Sequence, residues 1–317
     1  MENRKLIIFS SRGGGPYRQH EILAKYLRLK GYKVEHWGGF LKWVKLHFIY
    51  DNNTLILTNV PLLLRFIKGN FILNIHGNYR KEKNILKNPL GYLYDLNLRW
   101  TEKFIVPNNY LKSILKIENA IVIPNSIEKL RITKEKKKIK KGLVRLICVT
   151  HFAFWIKSRG VLKIIESLKY LKISKKIELK IFGKGKFLEE MTKEAKKISI
   201  PKNISVDFVG FNKNINQELE KSDIFVYWSE MDIMPTVLIE AMAAGLPVVV
   251  NKYGAFKEIL GDKNILAENP KEFSKHLEEL IDNEQQRVNE GIMNLKLSEK
   301  YLIENNIGKW VNTLYGK

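Results

Sequence analysis

Residues 222–250 contain the pattern that most limits how this chain can fold. Four residues of strand-forming types, Ile224–Tyr227, precede a polar turn and then a helical pattern over Thr236–Ala244. Gly245 suits the left-handed position after a helix, and the apolar run Val248–Val250 predicts a second strand. This order of elements predicts a parallel α/β sheet, in which ligands bind at the carboxyl ends of the strands.

Two carboxylates mark the loop and the helix that follow the first of these strands. Asp232 lies in the loop, and Glu240 lies inside the helix, with seven residues between them. The first N–H groups of a helix lack internal partners, so those of Thr236 and Val237 could hold a diphosphate. A sugar would then lie near Asp232, and Glu240 would accept hydrogen bonds from a ribose. The spacing alone fits equally well a loop-capping Asp232 and a solvated Glu240.

The eighteen positions from Asp232 to Val249 resemble the Glu-x7-Glu signature of the retaining glycosyltransferases of family 4 (glycosyl transferases group 1). Those enzymes have the two-domain GT-B fold. This sequence departs from the signature at Asp232, where Glu is usual, and at Ile233, where Gly is usual. An Asp side chain is shorter than Glu, and an Ile does not easily take a positive φ. The resemblance implies that Asp232 orients the donor sugar and that Glu240 binds the ribose.

The composition limits the classes of protein to which the chain can belong. A length of 317 residues suggests two domains, and 45% hydrophobic residues suffice for packed cores. The single cysteine, Cys148, lies in an apolar run, which predicts a buried thiol in a reducing compartment. No apolar run is long enough for a membrane span, and the apolar start is too short for a signal peptide. These features predict a cytoplasmic protein.

A lysine-rich stretch marks the expected boundary between the two domains. Six of the eight residues from Lys134 to Lys141 are lysine, and such a block repels itself and stays solvated. Residues 129–142 are therefore the predicted linker. Residues 1–142 would form the acceptor-side domain of the resembled family, and residues 143–317 would form its nucleotide-sugar-binding domain. The last helix is a candidate for crossing back to the first domain.

The positive charge of the chain is unevenly distributed along the sequence. The net charge is +22; residues 1–145 contain 29 Lys and Arg against 10 Asp and Glu, or +19, and residues 146–317 contain 26 against 23, or +3. This asymmetry indicates an anionic partner for the first part, which could be a membrane surface, a nucleic acid or a phosphorylated acceptor.

Residues 39–48 have two interpretations. Four apolar residues lie broadly on one side of a helix: Phe40, Trp43, Val44 and Phe48. Two lysines, Lys42 and Lys45, lie elsewhere on it. A basic amphipathic helix with Trp suits a membrane interface, but the same pattern is typical of an ordinary helix packed on the sheet.

A glycine loop follows the first predicted strand, Leu6–Phe9. Gly13, Gly14 and Gly15 let the backbone pass close to a ligand, and a helix is predicted from Pro16 to Lys30. By itself this loop is more typical of a plain tight turn. It also resembles the amino-terminal glycine loop of the same glycosyltransferases, which implies that Gly14 and Gly15 face the donor.

His76 directly follows the strand predicted over residues 70–75. A side chain at the carboxyl end of a parallel strand points toward the ligand edge, although a lone His is more often structural. The resembled family carries a His after this strand, which implies that His76 contacts the donor sugar. Residues 124–128, Pro-Asn-Ser-Ile-Glu, resemble the Pro-Asn-Gly-Val-Asp of the same family, with Ser126 in place of Gly.

Arg159 and Lys157 are the candidate cations for a diphosphate. The resembled family places an Arg after the strand 143–149 and a Lys-Gly pair before the next helix, predicted from Gly160 to about residue 171. Arg159 with Gly160 takes the Lys-Gly position, whereas His151 or Phe152 stands near the place of the upstream Arg. Arg159 is our first choice, because a guanidinium pairs with two phosphate oxygens, and Lys157 is our second. Without the motif, either residue is typical of a surface cation.

The predicted fold is α/β, namely GT-B, with two Rossmann-like, doubly wound domains facing across a cleft. The remaining predicted strands cover residues 32–36, 54–58, 103–106, 120–123, 177–182 and 205–209. The remaining predicted helices cover residues 254–259 and 270–283 and the end of the chain to residue 315.

The resemblance implies transfer of a sugar from a UDP-, GDP- or ADP-sugar to a glycan or glycolipid acceptor, with retention of the anomeric configuration. The product would belong to a lipid-linked glycan or a cell-surface polysaccharide. No cofactor or metal is expected, since Arg159 and Lys157 would stabilise the leaving diphosphate, and His76 and Asp232 would orient the sugar. The place of action would be the cytoplasm, with the inner face of the cell membrane as an anionic surface.

Three alternatives remain open from the sequence. A nucleotide-sugar epimerase shares the fold but needs acid and base groups in the cleft. A basic nucleic-acid-binding protein would explain the charge, but no nucleic-acid partner is expected because no recognised motif is present. A GT-B protein that only binds its ligand would explain Ile233 and the missing upstream Arg.

Overall fold

The computed structural model describes residues 4–11, 13–49, 53–63, 71–86, 90–101, 103–130, 142–261 and 266–316, without the side chains of residues 83–86 and 90. The chain divides into two compact units, the first formed by residues 1–128 and 300–317 and the second by residues 129–299. Each unit contains one six-stranded sheet. Most of the predicted linker, residues 131–141, lies outside the described residues.

The first unit winds helices around a wholly parallel sheet. Its strands are β1 (Lys5–Ser10), β2 (Val34–Gly38), β3 (Thr54–Thr58), β4 (Phe71–Asn74), β5 (Lys103–Val106) and β6 (Ile121–Val122). Its first helices are α1 (Gly14–Leu29), α2 (Phe40–Leu46), α3 (Tyr79–Leu86), α4 (Leu90–Asn97) and α5 (Asn109–Leu115). The strand order is β2-β1-β3-β4-β5-β6, so the winding direction reverses between β1 and β3.

The second unit repeats this architecture with its own parallel sheet. Its strands are β7 (Leu143–Val149), β8 (Lys176–Phe182), β9 (Ile204–Gly210), β10 (Ile224–Tyr227), β11 (Val248–Asn251) and β12 (Leu266–Ala267). Its helices are α6 (Trp155–Leu168), α7 (Leu188–Lys196), α8 (Ile215–Lys221), α9 (Thr236–Ala243), α10 (Gly254–Leu260), α11 (Pro270–Asp282) and α12 (Glu284–Ser298). The order is β12-β11-β10-β7-β8-β9, which reverses between β7 and β10. The predicted class, α/β with two Rossmann-like domains, is confirmed.

The last helix, α13 (Ile303–Tyr315), belongs to the first unit. Its buried side chains, among them Ile307 and Trp310, share a core with Leu6 of β1 and Leu23 of α1. The chain enters this helix beside Ile127, whose N–H donates to the Tyr301 carbonyl at 2.9 Å. The sequence assigned residues 143–317 to the second domain, with the last helix as a candidate for crossing back, and residues 300–317 group with the first unit.

The boundary between the units changes the distribution of charge. Counted by unit, the first contains 23 Lys and Arg against 10 Asp and Glu, or +13, and the second contains 32 against 23, or +9. Residues 129–142 alone contain 8 Lys and Arg against 1 Glu. Much of the asymmetry seen along the sequence therefore comes from the lysine-rich segment.

Several strands begin and end at the predicted residues, whereas other elements begin earlier or later in the chain than predicted. β3, β5, β7 and β10 start and end as predicted, and Gly245 takes the expected positive φ of 70°. β2 begins two residues later than predicted, because the Tyr32 N–H still caps α1 by donating to the Leu27 carbonyl at 3.1 Å. α1 begins at Gly14, before Pro16, and α6 begins at Trp155, inside the segment predicted as a loop.

The core of each unit is apolar, as the composition predicts. The Cys148 thiol on β7 is buried, and burial raises its pKa to about 12. Within the parts of the chain that the structure describes, no helix combines the length and apolarity that a membrane crossing requires.

Gly160 lets α6 approach the end of β10. A Cβ at this position would lie 2.0 Å from the backbone oxygen of Trp228, far inside the contact distance of two atoms. Any larger residue therefore has to push the helix away from the strand. This close packing is sufficient to explain why glycine occupies position 160, with no contact to a ligand required. It also fixes the distance between the first turn of α6 and the sheet.

We expect Gly160→Ala to lower the free energy of unfolding of the second unit by about 1–3 kcal/mol, the usual cost of overpacking. Gly308→Ala is the matched control, because Gly308 lies in α13 and its Cβ would meet open space. That change should be neutral or stabilising by about 0.5–1 kcal/mol. Urea unfolding of both variants measures the difference, and equal stabilities would contradict the packing argument.

Candidate functional site

The candidate site lies at the carboxyl edge of the second sheet, between β7 and β10. The winding direction of the sheet reverses between these two neighbours, which leaves a crevice outside their carboxyl ends. Residues 150–154 leave β7 toward α6, and residues 228–235 leave β10 toward α9. The side chains of both connections therefore meet at the place where parallel sheets bind ligands.

Asp232 is held from several directions at this edge. The Lys157 ammonium lies 2.8 Å from Asp232 Oδ1. The hydroxyls of Tyr227 and Ser229 donate to Oδ2 at 2.5 and 2.9 Å. Both oxygens of the carboxylate are engaged, while its side chain is still 19% exposed. Asp232 is thus a fixed acceptor that a ligand can reach from solvent.

Residues on both sides of the crevice support this carboxylate. Thr150, which follows β7, lies close enough to the Tyr227 hydroxyl at the end of β10 to lower its pKa, against the larger opposing effect of burial. The Asn251 amide holds the backbone of Ser229 from both sides, accepting from its N–H at 2.8 Å and donating to its carbonyl at 3.0 Å. The Ser229 hydroxyl also accepts the Asp232 N–H at 3.1 Å. The loop is therefore tied to β10 and β11 together.

The electrostatics keep Asp232 ionised. Burial by itself raises the pKa of this carboxyl, but the Lys157 ammonium and the hydrogen bonds from Lys157, Tyr227 and Ser229 outweigh it, so the net pKa is lowered. Burial and the neighbouring carboxylate raise the pKa of the Tyr227 hydroxyl well above its ordinary value. At neutral pH, Asp232 is therefore a carboxylate that accepts the hydrogen bond, and Tyr227 is a neutral phenol that donates it.

The two predicted cations both lie in the first turns of α6 and have different surroundings. Lys157 contacts Asp232 directly. The Arg159 guanidinium stacks on the Trp155 ring at 4.9 Å, and its Nη2 lies 4.0 Å from Glu230 Oε2. Lys157, our second choice from the sequence, is therefore the cation that the structure joins to the carboxylate.

The start of α9 follows this loop at once. Pro235 is the N-cap of α9, and its carbonyl accepts the Leu238 N–H at 3.1 Å. Thr236 and Val237 therefore occupy the helix start, as predicted. Glu240 is 2% exposed, so the alternative of a solvated helix residue is wrong.

Ile233 occupies the position at which the resembled family has Gly. Its side chain is buried, at 2% exposure. Among the described residues, Lys116 is the one non-glycine residue with a positive φ, so Ile233 has ordinary backbone geometry. The buried Ile233 side chain thus holds this loop in the core of the second unit.

His151 and Lys184 also contribute to the electrostatics of this edge. Burial lowers the pKa of His151, the ammonium groups of Lys157 and Lys184 lower it further, and Asp232 opposes them. Phe152 is fully buried, so of the two residues near the place of the absent Arg only His151 reaches the surface. In the sequence, Lys184 lies in the turn Gly183-Lys184-Gly185, which the resemblance places at the nucleotide edge, although Gly-Lys-Gly by itself is unspecific.

The other predicted site residues belong to the first unit. Gly14 is the first residue of α1, and both it and the N-cap Gly13 have positive φ, of 81° and 83°. A Cβ on Gly15 would meet nothing within 4 Å, so this helix start is open. Glycine is required here by the backbone angles of two successive residues.

His76 follows β4 as predicted, and its imidazole is neutral at physiological pH. Burial lowers the pKa of this ring to about 4, and the nearby Asn125 side chain opposes the shift. The ring of His20 approaches it edge-on, with centroids 5.5 Å apart, and His20 is fixed by Asn74 at 3.0 Å. A neutral imidazole can act as either donor or acceptor toward a ligand hydroxyl.

The segment after β6 is anchored to α1. The Gln19 side chain accepts the Ser126 N–H at 2.6 Å and donates to the Ser126 carbonyl at 2.9 Å. Ser126, which replaces the Gly of the resembled family, is buried at 2% exposure. This pairing fixes the backbone next to Asn125, and thereby the surroundings of His76.

The family model for glycosyl transferases group 1 matches residues 131–292, just over half of the chain. The match covers the second unit from its lysine-rich start to α12. The chain belongs to this family.

A curated relative supports the same class. An uncharacterised glycosyltransferase of Haemophilus influenzae is 30% identical over 221 residues, which are 68% of this chain and 57% of that protein. The aligned part of this chain covers 57%, 26% and 64% of the lengths of the three curated relatives.

Solved structures share the fold over nearly the whole chain. WaaG, a glycosyltransferase involved in lipopolysaccharide biosynthesis, aligns with a TM-score of 0.75 at 14% identity, covering 98% of this chain and 100% of that one. HepE of Anabaena, in complex with UDP and glucose, aligns with a TM-score of 0.73 at 15% identity, covering 99% and 100%. The predicted GT-B fold is confirmed.

We expect Lys157→Met to destabilise the second unit by about 1–3 kcal/mol at pH 7, because it leaves a largely buried carboxylate without its cation. The pKa of Asp232 is lowered in the folded protein, so the stability from this pair is present above the ordinary Asp pKa. It is lost as the pH falls through the lowered folded pKa. Urea unfolding between pH 3 and pH 8 measures this dependence.

Lys163→Met is the matched control for this experiment. Lys163 lies on the same helix and pairs with Glu166 at 3.0 Å on a more exposed face. Its loss should change the free energy of unfolding by no more than about 0.5 kcal/mol. Equal losses in the two variants, or a Lys157→Met effect that persists at low pH, would contradict the role of the Lys157–Asp232 pair.

Proposed function

We propose that the protein transfers a sugar from a nucleotide-sugar to an acceptor hydroxyl, with retention of the anomeric configuration. The observation that carries the proposal is the Lys157–Asp232 pair, fixed at the reversal point of the second sheet immediately before the helix that carries Glu240. Lys157 and the start of α9 suit a diphosphate, Asp232 suits a sugar, and Glu240 suits a ribose. Membership of the family supports the same reaction, and its retaining family 4 is the subgroup that we propose.

In this proposal, Lys157 holds both Asp232 and the donor diphosphate. An ammonium group has three donors, so a contact with Asp232 leaves others for phosphate oxygens. The N–H groups at the start of α9, from Thr236 and Val237, add partial positive charge toward the same anion. The leaving diphosphate would be stabilised by these groups and by Arg159, without a metal.

The remaining residues would position the sugar and the ribose. Asp232 would accept hydrogen bonds from sugar hydroxyls in the orientation that Tyr227 and Ser229 impose on it. Glu240 would accept from the ribose. We also assign Gly14, Gly15 and the neutral His76 to binding of the donor, because their motifs resemble those of the family. The base of the donor would be uracil, guanine or adenine. HepE in complex with UDP-glucose supports a nucleotide-sugar donor for this fold.

We propose a glycan or glycolipid as the acceptor, in the synthesis of a lipid-linked glycan or a cell-surface polysaccharide. The net charge of +13 on the first unit favours an acceptor that is anionic or is presented at an anionic surface. The link of WaaG with lipopolysaccharide supports the same class of acceptor. The place of action would be the cytoplasm, at the inner face of the cell membrane.

Donor binding tests these assignments. Lys157→Met, Arg159→Ala and Glu240→Gln should each weaken binding of the preferred nucleotide-sugar by about 1.5–3 kcal/mol, the value of a hydrogen bond to a charged group. Lys163→Ala, on the exposed face of α6, is the control and should bind as the wild type does. Calorimetric titration with UDP-, GDP- and ADP-sugars measures the affinities, and unchanged binding in all three variants would overturn the site.

The stereochemistry and the metal requirement are checked in a single reaction. We expect the product to keep the anomeric configuration of the donor, and the rate to survive excess EDTA, because the protein's own cations neutralise the diphosphate. NMR of the anomeric proton during the first minutes reports the configuration. An inverted product would exclude the retaining reaction, and rescue of a chelated enzyme by Mg²⁺ or Mn²⁺ would overturn the role given to Lys157 and Arg159.

A further inference from the structure

Helix α1 places two buried polar side chains next to each other near its start. Gln19 is 8% exposed and His20 is 1% exposed, whereas the buried residues further along the helix are apolar: Ile22, Leu23, Ala24 and Leu27. Polar side chains are rarely buried unless they have partners. Gln19 has its partners in the backbone of Ser126. The burial of His20 requires an explanation of its own.

Two residues at the end of β4 contact the His20 ring. Asn74, the last residue of β4, lies with its Nδ2 3.0 Å from His20 Nε2. In this pairing the amide donates and Nε2 accepts, so the His20 proton is on Nδ1. The His76 ring meets the His20 ring edge-on, at an interplanar angle of 68° and with centroids 5.5 Å apart. His20 thus contacts Asn74 with a nitrogen and His76 with its ring.

Hydrogen bonds do not fix the ring of His76. Both of its nitrogens are buried, and neither has a hydrogen-bond partner in the described part of the chain. Unpartnered buried nitrogens cost free energy, and such costs are retained where a side chain has a function. The residue is partly exposed, so the orientation of the imidazole decides which ring atom a ligand meets. Ring packing, with His20 as the aromatic neighbour, sets this orientation.

We propose that His20 is a positioning residue for His76. Its ring fixes the plane of the His76 imidazole, and this plane determines how His76 meets the hydroxyls of the donor sugar. The inference rests on the proposed function, in which His76 contacts the donor sugar. With 1% exposure, His20 acts through His76 and not on the ligand directly.

His20 fills this role without adding charge next to the ligand. Burial lowers the pKa of His20 well below its ordinary value, the rings of His76 and His36 lower it further, and the nearby Phe9 backbone opposes them. His20 is therefore neutral at physiological pH, and its Nε2 is available to the Asn74 amide. A leucine at this position would leave that buried amide without an acceptor.

A purely structural role is the competing explanation, in which His20 only satisfies the Asn74 amide. Two substitutions separate these roles. His20→Gln keeps a carbonyl acceptor for Asn74 but removes the ring beside His76. His20→Phe keeps a ring beside His76 but removes the acceptor for Asn74.

The contribution of the sugar to binding is the readout. Calorimetric titrations compare UDP with UDP-glucose, GDP with GDP-mannose and ADP with ADP-glucose, and the pair that the wild type binds is then used for the variants. We expect His20→Gln and His76→Ala each to weaken binding of the nucleotide-sugar by about threefold to tenfold, the effect of one hydrogen bond. Binding of the nucleoside diphosphate should not change, because His76 is assigned to the sugar.

Two further variants test for a general loss of structure. His20→Phe should unfold at lower urea concentration than the wild type but keep the wild-type ratio of the two affinities. Ile22→Val is the matched control, because Ile22 lies on the same helix and is buried in the apolar core. It should also lower stability and keep the ratio.

NMR of the histidine rings gives a second readout that needs no ligand. The Cε1–H signal of His76 is identified by its absence from the spectrum of His76→Ala. We expect this signal to shift in His20→Gln, which removes the neighbouring ring, and to stay in place in Ile22→Val. An unshifted His76 signal in His20→Gln would contradict the ring contact.

The outcomes separate this inference from the proposed function. A lowered ratio in His76→Ala with a wild-type ratio in His20→Gln would overturn the role of His20 and leave the proposed function intact. An unchanged ratio in His76→Ala would overturn the assignment of His76 to the donor, and this inference with it. Equal losses in His20→Gln and in either His20→Phe or Ile22→Val would give His20 a structural role only.

Discussion

The ion pair between Lys157 and Asp232 is the interaction on which the proposed chemistry depends. Its members lie 75 residues apart, one on the first turn of α6 and one on the loop after β10. The Lys157 cation keeps the largely buried Asp232 carboxylate ionised, and the carboxylate fixes the long, flexible lysine side chain. Tyr227 and Ser229 complete the set of contacts, so Asp232 meets a ligand in one orientation.

The sheet topology is what makes this pair possible. β7 begins the second unit and β10 returns beside it, so their carboxyl ends stand next to each other although they are distant in sequence. Gly160 brings α6 down onto the end of β10, because no side chain separates the helix from the Trp228 backbone. The height of Lys157 above the sheet therefore depends on a packing contact and not on the ligand.

The local patterns of the chain were sufficient to predict much of the fold. Short apolar runs bounded by polar turns identified β3, β5, β7 and β10 with their observed bounds, because burial on both faces imposes such runs. The start of an element was harder to predict: α1 and α6 begin earlier than expected, and β2 begins two residues later. The sequence left two interpretations of residues 39–48 open, because a pattern of apolar residues on a short helix does not say which side faces the sheet; Trp43 packs against the cluster that contains Ile7 and Phe9.

The sequence by itself determined the α/β class, the position of the glycine loop before α1 and the carboxylates at 232 and 240, since these depend on neighbours within a few residues. Only the tertiary structure decided that Lys157 and not Arg159 contacts Asp232, that Tyr227 donates to the same carboxylate, and that the last helix packs with the first unit. Such choices depend on side-chain directions and on contacts between distant segments. Local periodicity does not encode these contacts, because one pattern of residues fits several arrangements of the elements around it.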